Sequence, residues 1–173
     1  LDAYAALGKV LYLNMAIRNA HFIRRKLMSG NSLFRNYKDG KCYTHAKLDD
    51  YANVIRAFIS LYQSTFDESW LTHANNLTEH TLQHFHDTHS GMFYYTSDLD
   101  EALIVRQFEI PDQVMPSSNS VMAFNLFYLG IINVNTDYIS LSEKMLSVVS
   151  SGIVESTAYF ANWTKLQMLI TDP

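Results

Sequence analysis

The sequence predicts an all-α protein of paired helices curled into an α/α toroid, with small β-hairpins at one rim. Three observations predict it. An aromatic–aliphatic pair followed by a small residue opens three segments, Tyr12-Leu13…Ala16, Trp70-Leu71…Ala74 and Tyr138-Ile139…Ser142, spaced by 58 and then 68 residues. Six stretches carry apolar residues at steps of three and four, the helical period. Turn-rich segments with short aromatic runs always fall between an outer helix and the inner helix that follows it. Helical hairpins also stack as open solenoids, but long insertions on one side favour a toroid with its loops crowding one mouth. Tetratricopeptide helices would recur about every 34 residues, and these do not.

The first helix is expected over 3–28, ending at Ser29-Gly30-Asn31, a C-terminal stop. Its last turn holds Arg24-Arg25-Lys26, cations that suit the negative end of a helix dipole. Asp39-Gly40 between Leu33-Phe34-Arg35-Asn36-Tyr37 and Cys42-Tyr43-Thr44 reads as a tight β-hairpin. A second helix over 48–64 places Leu48, Tyr51, Ala52, Ile55, Phe58, Ile59 and Tyr62 on one stripe. A third over 69–86 does so with Trp70, Leu71, Ala74, Leu77, Thr78, Thr81, Leu82 and Phe85. Met92-Phe93-Tyr94-Tyr95 and Leu103-Ile104-Val105 are expected to pair as a second hairpin. Pro111 and Pro116 then bracket an irregular loop. The fourth helix, over 117–132, is apolar nearly all round and belongs inside a packed layer. A fifth over 137–150 and a sixth over 155–170 are amphipathic.

At 173 residues with no low-complexity linker, the chain is expected to form one domain, 1–173, with a sizeable core. Its net charge of −4 and lack of a basic patch argue against a nucleic-acid partner. No apolar run approaches the roughly 20 residues of a membrane span. The single cysteine, Cys42, allows no internal disulfide and fits a reducing compartment, so the cytoplasm is expected. The sequence opens on Leu1 in mid-pattern and is read as a piece of a longer protein. No cofactor is expected, since glycine-rich phosphate loops, Cys-x-x-Cys and Gly-x-Ser-x-Gly do not occur.

Leu48-Asp49-Asp50-Tyr51-Ala52, Phe66-Asp67-Glu68, Trp70-Leu71, then Arg106, Glu109, Asp112 and Pro116-Ser117-Ser118-Asn119-Ser120-Val121 carry a family likeness. The chain resembles, from about Leu11 to Trp163, the C-terminal region of the thioredoxin-domain-containing proteins of the spermatogenesis-associated type. The resemblance implies about half of an (α/α)6 toroid related to sugar epimerases and six-hairpin glycosidases, without the thioredoxin-like domain that precedes it in the family. It also implies, as partners, the missing N-terminal half of the toroid and that thioredoxin-like domain. The family loop reads Tyr-Asp-Gly-Ala-x-Pro-Ser-Gly-Asn-Ser. Here Pro111 precedes Asp112, Gln113 follows it and Ser118 replaces the second glycine, which stiffens the loop.

Independently of the family, a 68-residue offset sets Asp50 opposite Ser118 and Asp49 opposite Ser117, both at the start of an inner helix. In a toroid such ends face one mouth, and helix N-termini favour anionic groups and oriented hydroxyls. Asp49, Asp50, Arg106, Asp112, Ser117 and Asn119 are therefore expected to line a polar cleft, with Tyr43 and Tyr94 as sugar-stacking platforms. In a sugar-processing site Asp50 serves as acid or base, Asp112 as its partner, and Arg106 anchors a carboxylate or phosphate. The plainer reading makes Asp49 and Asp50 first-turn acids, Ser117 an N-cap and Arg106–Asp112 a loop-fixing ion pair. The functional alternatives are thus a carbohydrate-binding or carbohydrate-processing toroid and a non-catalytic scaffold for a protein partner.

His73, His80 and His84 share one edge of the third helix, where they are read as a solvated face without a metal, since no Glu or Cys completes a ligand set. His86 and His89 sit at that helix's end, where positive charge is favourable. The fourth helix is expected to leave an apolar patch at an open edge of the half toroid, which a second copy of the chain or the missing half would cover.

Overall fold

The computed structural model describes residues 1–101 and 104–171. Their order is α1 (Asp2–Leu7), α2 (Val10–Phe22), β1 (Met28–Ser29), β2 (Ser32–Lys38), β3 (Lys41–His45), α3 (Leu48–Thr65), α4 (Glu68–His84), α5 (Ser118–Asn133), α6 (Thr136–Glu155) and α7 (Ala161–Thr171). The first expected helix is broken in two. Gly8 adopts φ 64° and its N–H caps Tyr4, a left-handed stop that closes α1. At its far end α2 widens into a π turn, Ile23–Leu27, before Met28 turns extended.

The hairpin forms at Asp39-Gly40, where both residues have positive φ (50° and 81°), the backbone that a two-residue antiparallel turn requires. It sets Tyr37 opposite Cys42 and Asn36 opposite Tyr43, and β1 adds a third antiparallel strand.

α3, α5 and α7 form an inner layer, and α2, α4 and α6 pack outside it. Their buried faces follow the period in the sequence. α3 buries Leu48, Tyr51, Ala52, Ile55, Phe58, Ile59 and Leu61. α4 buries Trp70, Ala74, Leu77, Thr78 and Thr81. Among the inner helices, the Asn125 amide donates to the Ala52 carbonyl at 2.8 Å, tying α5 to α3 inside the core. Between the outer helices, the Tyr138 hydroxyl donates to Glu79, and burial followed by that carboxylate raises the phenol's pKa.

One elbow occurs twice. Phe66 (φ 56°) ends α3 and Val134 (φ 54°) ends α5, both left-handed, and the next residue of each, Asp67 or Asn135, caps the following outer helix. These elbows keep the 68-residue offset. The inner-helix starts do not, because the N-caps are Lys47 and Ser117, so α3 is two residues longer. Counted from the caps, Asp50 is the counterpart of Ser120 and Asp49 of Asn119, which corrects the expected pairing by two residues.

The second hairpin is reduced to bridges. Tyr94 pairs with Phe108 and the Tyr95 N–H donates to the Gln107 carbonyl, so the return segment is 107–108. Ile104 and Val105 are exposed, and Leu103 lies outside the described residues. Arg106 sets this register by donating to the Thr96 and His84 carbonyls. The apolar patch expected on α5 is reduced, because α5 lies between α3 and α7 and buries ten of its residues, leaving Ile131 exposed and Phe124, Phe127 and Tyr128 partly so. Exposed large apolar side chains instead run along α1 and α2: Leu7, Val10, Leu11 and Met15.

Candidate functional site

The N-termini of α3 and α5 are joined by the extended segment 93–95. The Leu48 N–H of α3 donates to the Tyr95 carbonyl at 3.0 Å. The Asn119 side chain of α5 accepts from the Phe93 N–H (2.8 Å) and donates to the Phe93 and Glu109 carbonyls (both 2.9 Å). The helix starts thus share one rim, as the toroid reading expects.

The rim's ionic centre is Arg35 on β2. It donates through Nε to Asp50 at 2.7 Å, through Nη2 to Asp49 at 2.5 Å, and to the Tyr95 hydroxyl at 3.3 Å. Asp50 also accepts the Lys47 N–H at 2.9 Å, the reciprocal half of a helix-capping box. Asp49 is the freer of the two, its side chain 38% exposed. Partial burial and the neighbouring Asp50 raise its pKa above the ordinary carboxylate value, against the pull of Arg35. Phe34, Arg35, Asp49, Asp50, Asn53 and Val54 border a depression of about 260 Å³. Tyr95, Phe108, Glu109 and Pro111 border another of about 310 Å³. Arg35, which borders the first, donates to Tyr95, which borders the second.

The other expected site residues serve different ends. Asp112 is 4% exposed. It accepts the Ser117 N–H and the Ser120 hydroxyl on Oδ1 and the Asn162 N–H on Oδ2, each at 2.8 Å, pinning the starts of α5 and α7 together. Buried and holding three donors, it serves as a clamp between helix starts and does not meet Asp50 at the rim. Arg106 forms no ion pair with Asp112; its guanidinium binds backbone carbonyls and lies 4.2 Å from the centroid of the Tyr94 ring. Tyr94 also stacks on Phe108 (4.3 Å), so its ring is already engaged. Ser117 is the N-cap of α5, accepting the Ser120 N–H, and Asn119 is fully buried and committed to backbone. Tyr43 is exposed on β3, opposite Asn36. Only Asp49 and Asp50 of the expected set meet at the open rim.

Arg35, Tyr95 and Glu109 were not singled out as site residues by sequence. Tyr95 differs from the expected Tyr94 by one position, which in an extended segment means the opposite face. Glu109 stands in the family-like stretch, and its Oε2 accepts the Ser118 N–H at 2.9 Å at the start of α5. Nothing local marks Arg35.

The histidine edge is not a solvated face. His80 stacks on Tyr51 (5.3 Å), His84 Nδ1 meets Asp98 at 2.8 Å, and His73 packs against Trp70. Burial lowers the pKa of His73, His80 and His86, with nearby positive charge from Arg24, His84 and Lys144 respectively adding to it. Burial and Lys144 thus work against the positive charge expected on His86 at the helix end.

No protein-family model matches the chain. Human spermatogenesis-associated protein 20 is 28% identical over 87% of the chain, its rat counterpart is likewise 28% identical over 87%, and an uncharacterized Caenorhabditis elegans protein is 29% identical over 80%. The chain is similar to part of spermatogenesis-associated protein 20. It spans about a fifth of the length of these relatives (20–21%). A GH76 α-mannanase from Bacteroides thetaiotaomicron superposes with TM-score 0.68 at 14% identity, over 87% of this chain and 41% of that one. The fold is therefore part of an α/α toroid, and the portion shared with that enzyme is 41% of its chain. Among the described residues no helix is long and apolar enough to cross a membrane.

Proposed function

We propose that this chain supplies part of a carbohydrate-binding or carbohydrate-processing cleft, with Asp49 and Asp50 as its acidic pair. The supporting observation is their position: adjacent carboxylates on the first turn of an inner helix, both held by Arg35, bordering an open depression. Asp49, with its raised pKa, is the group suited to hold and deliver a proton. Asp50, oriented by Arg35 and the Lys47 N–H, is suited to accept one or to steady a developing positive charge. Phe108, 37% exposed, offers an aromatic surface in the neighbouring depression in place of Tyr94, and the Tyr95 hydroxyl a polar contact. The fold likeness to an α-mannanase makes α-mannosides the first sugars to try.

The test is thermal unfolding of the full chain, with Asp49→Asn and Asp50→Asn alongside, against α-mannobiose, glucose and N-acetylmannosamine. A sugar at about 100 times its Kd adds about 2.7 kcal/mol of stability. A shift with one sugar that is lost in both variants is the expected result. An equal shift in the variants, or no shift with any sugar, refutes the reading. A second reading, a scaffold on which a thioredoxin-like domain or the remaining part of the toroid docks, draws on the exposed Leu7, Val10, Leu11 and Met15 of α1 and α2.

A further inference from the structure

α3 has two unlike faces. Opposite its apolar stripe runs a polar one, Asp49, Asn53, Arg56, Ser60 and Gln63, at alternating steps of four and three that keep it on one side of the helix. Beyond the rim, Arg56, Ser60 and Gln63 meet Asn125 and Tyr128 of α5 and Lys165 of α7 around a cavity of about 450 Å³. That volume falls within the ordinary range for small-molecule sites. Arg56 and Lys165 both face this cavity, and among the described residues no carboxylate lines it and neither cation has an ion-pair partner. Asp2 borders the adjoining depression but lies beyond ion-pair distance of Arg56.

We infer that this cavity between the inner helices binds a small hydroxylated organic anion, one bearing a carboxylate or a phosphate. Two like charges gathered in a concavity repel each other, and an anion placed between them relieves that repulsion. The surrounding amides are already oriented. Asn125 is 1% exposed and fixed by its bond to Ala52, and Asn162 is fixed by its bond to the Ser120 hydroxyl at 3.0 Å. Gln63, Ser60 and Tyr128 are left to meet hydroxyl groups, while Phe124 and Met168 give the body of the ligand an apolar wall. Arg56 stands seven residues beyond Asp49, about 10 Å along the helix axis, so the site is separate from the rim carboxylates and does not depend on their chemistry.

Isothermal titration calorimetry of the full chain at low ionic strength tests it with glucuronate, glucose 6-phosphate, inorganic phosphate and glucose. Binding of glucuronate, glucose 6-phosphate or both, without glucose, supports the site and tells carboxylate from phosphate recognition. Arg56→Gln and Lys165→Gln should each weaken that binding at least tenfold, and Arg18→Gln, an exposed cation on α2, should not. Both cavity cations are exposed, so circular dichroism should show the fold unchanged. No binding of any anion, equal binding of glucose, binding of inorganic phosphate alone, or unchanged affinity in Arg56→Gln and Lys165→Gln overturns it.

Discussion

Replacing Asp112 with alanine should cost this protein much of its stability, even though sequence reasoning placed the residue in a catalytic cleft. The residue is 4% exposed and its carboxylate receives three donors at 2.8 Å. Two are the backbone N–H groups of Ser117 and Asn162, which have no other acceptor among the described residues once the carboxylate is gone. The third, the Ser120 hydroxyl, can fall back on the Ser117 carbonyl at 2.9 Å. Each orphaned buried donor costs about 1–3 kcal/mol, so the two together cost about 4 kcal/mol. Against a typical total of about 5–15 kcal/mol that is severe. At roughly 2–4 °C per kcal/mol for a chain of this size, the Tm should drop by about 10 °C. Urea unfolding followed by circular dichroism measures the loss directly, with an unchanged slope marking a change in stability alone. Asp112→Asn, which keeps one acceptor oxygen, should fall between. A loss below about 0.5 kcal/mol, the level of an ordinary surface substitution, would refute the account of Asp112 as a clamp between α5 and α7.

Gly130→Ala should destabilise the fold by roughly 1–3 kcal/mol, since a Cβ there would sit 2.5 Å from the Ile139 side chain and 3.1 Å from backbone atoms that cannot yield; a wild-type Tm would contradict the close approach of α5 and α6. The depressed histidines give a pH dependence of definite sign. In the unfolded chain His80 and His86 take up protons near the ordinary value of about 6.5, while the folded chain resists until lower pH. Stability should therefore decline as pH falls from about 7, and His80→Asn with His86→Gln should flatten that decline; an unchanged slope would show that neither histidine is responsible.

The helices were legible because their signals are local. On α3 the three-and-four spacing from Leu48 to Ile59 specifies both the helix and its buried side, and the same holds for Trp70 to Thr81 on α4. Asp39-Gly40 is legible for a similar reason, since few residue pairs accept positive φ twice. The break at Gly8 was missed because a glycine inside an otherwise helical run is tolerated elsewhere at modest cost. Asp49 and Asp50 were legible as a pair opening an inner helix. Arg35 was not, because it reaches them across a hairpin, 14 and 15 residues away, with no periodic signal to mark it.

By itself, then, the sequence determined which segments are helical, the break at Gly8 apart, and which faces they bury, since these follow from residues within a few positions of one another, while the toroid followed from one pattern recurring at 58 and 68 residues. Only the tertiary structure decided which polar residues are spent and which are free. Asp112, Asn119 and Arg106 look as available as Asp49 in the linear chain. Folding commits all three to backbone N–H and carbonyl groups of neighbouring segments, because a buried polar group without a partner is costly. What it leaves open to solvent and to a ligand, the Arg35-held aspartates at the rim and Arg56 and Lys165, which have no ion-pair partner among the described residues, depends on contacts among helix starts and strands that no short stretch of sequence contains.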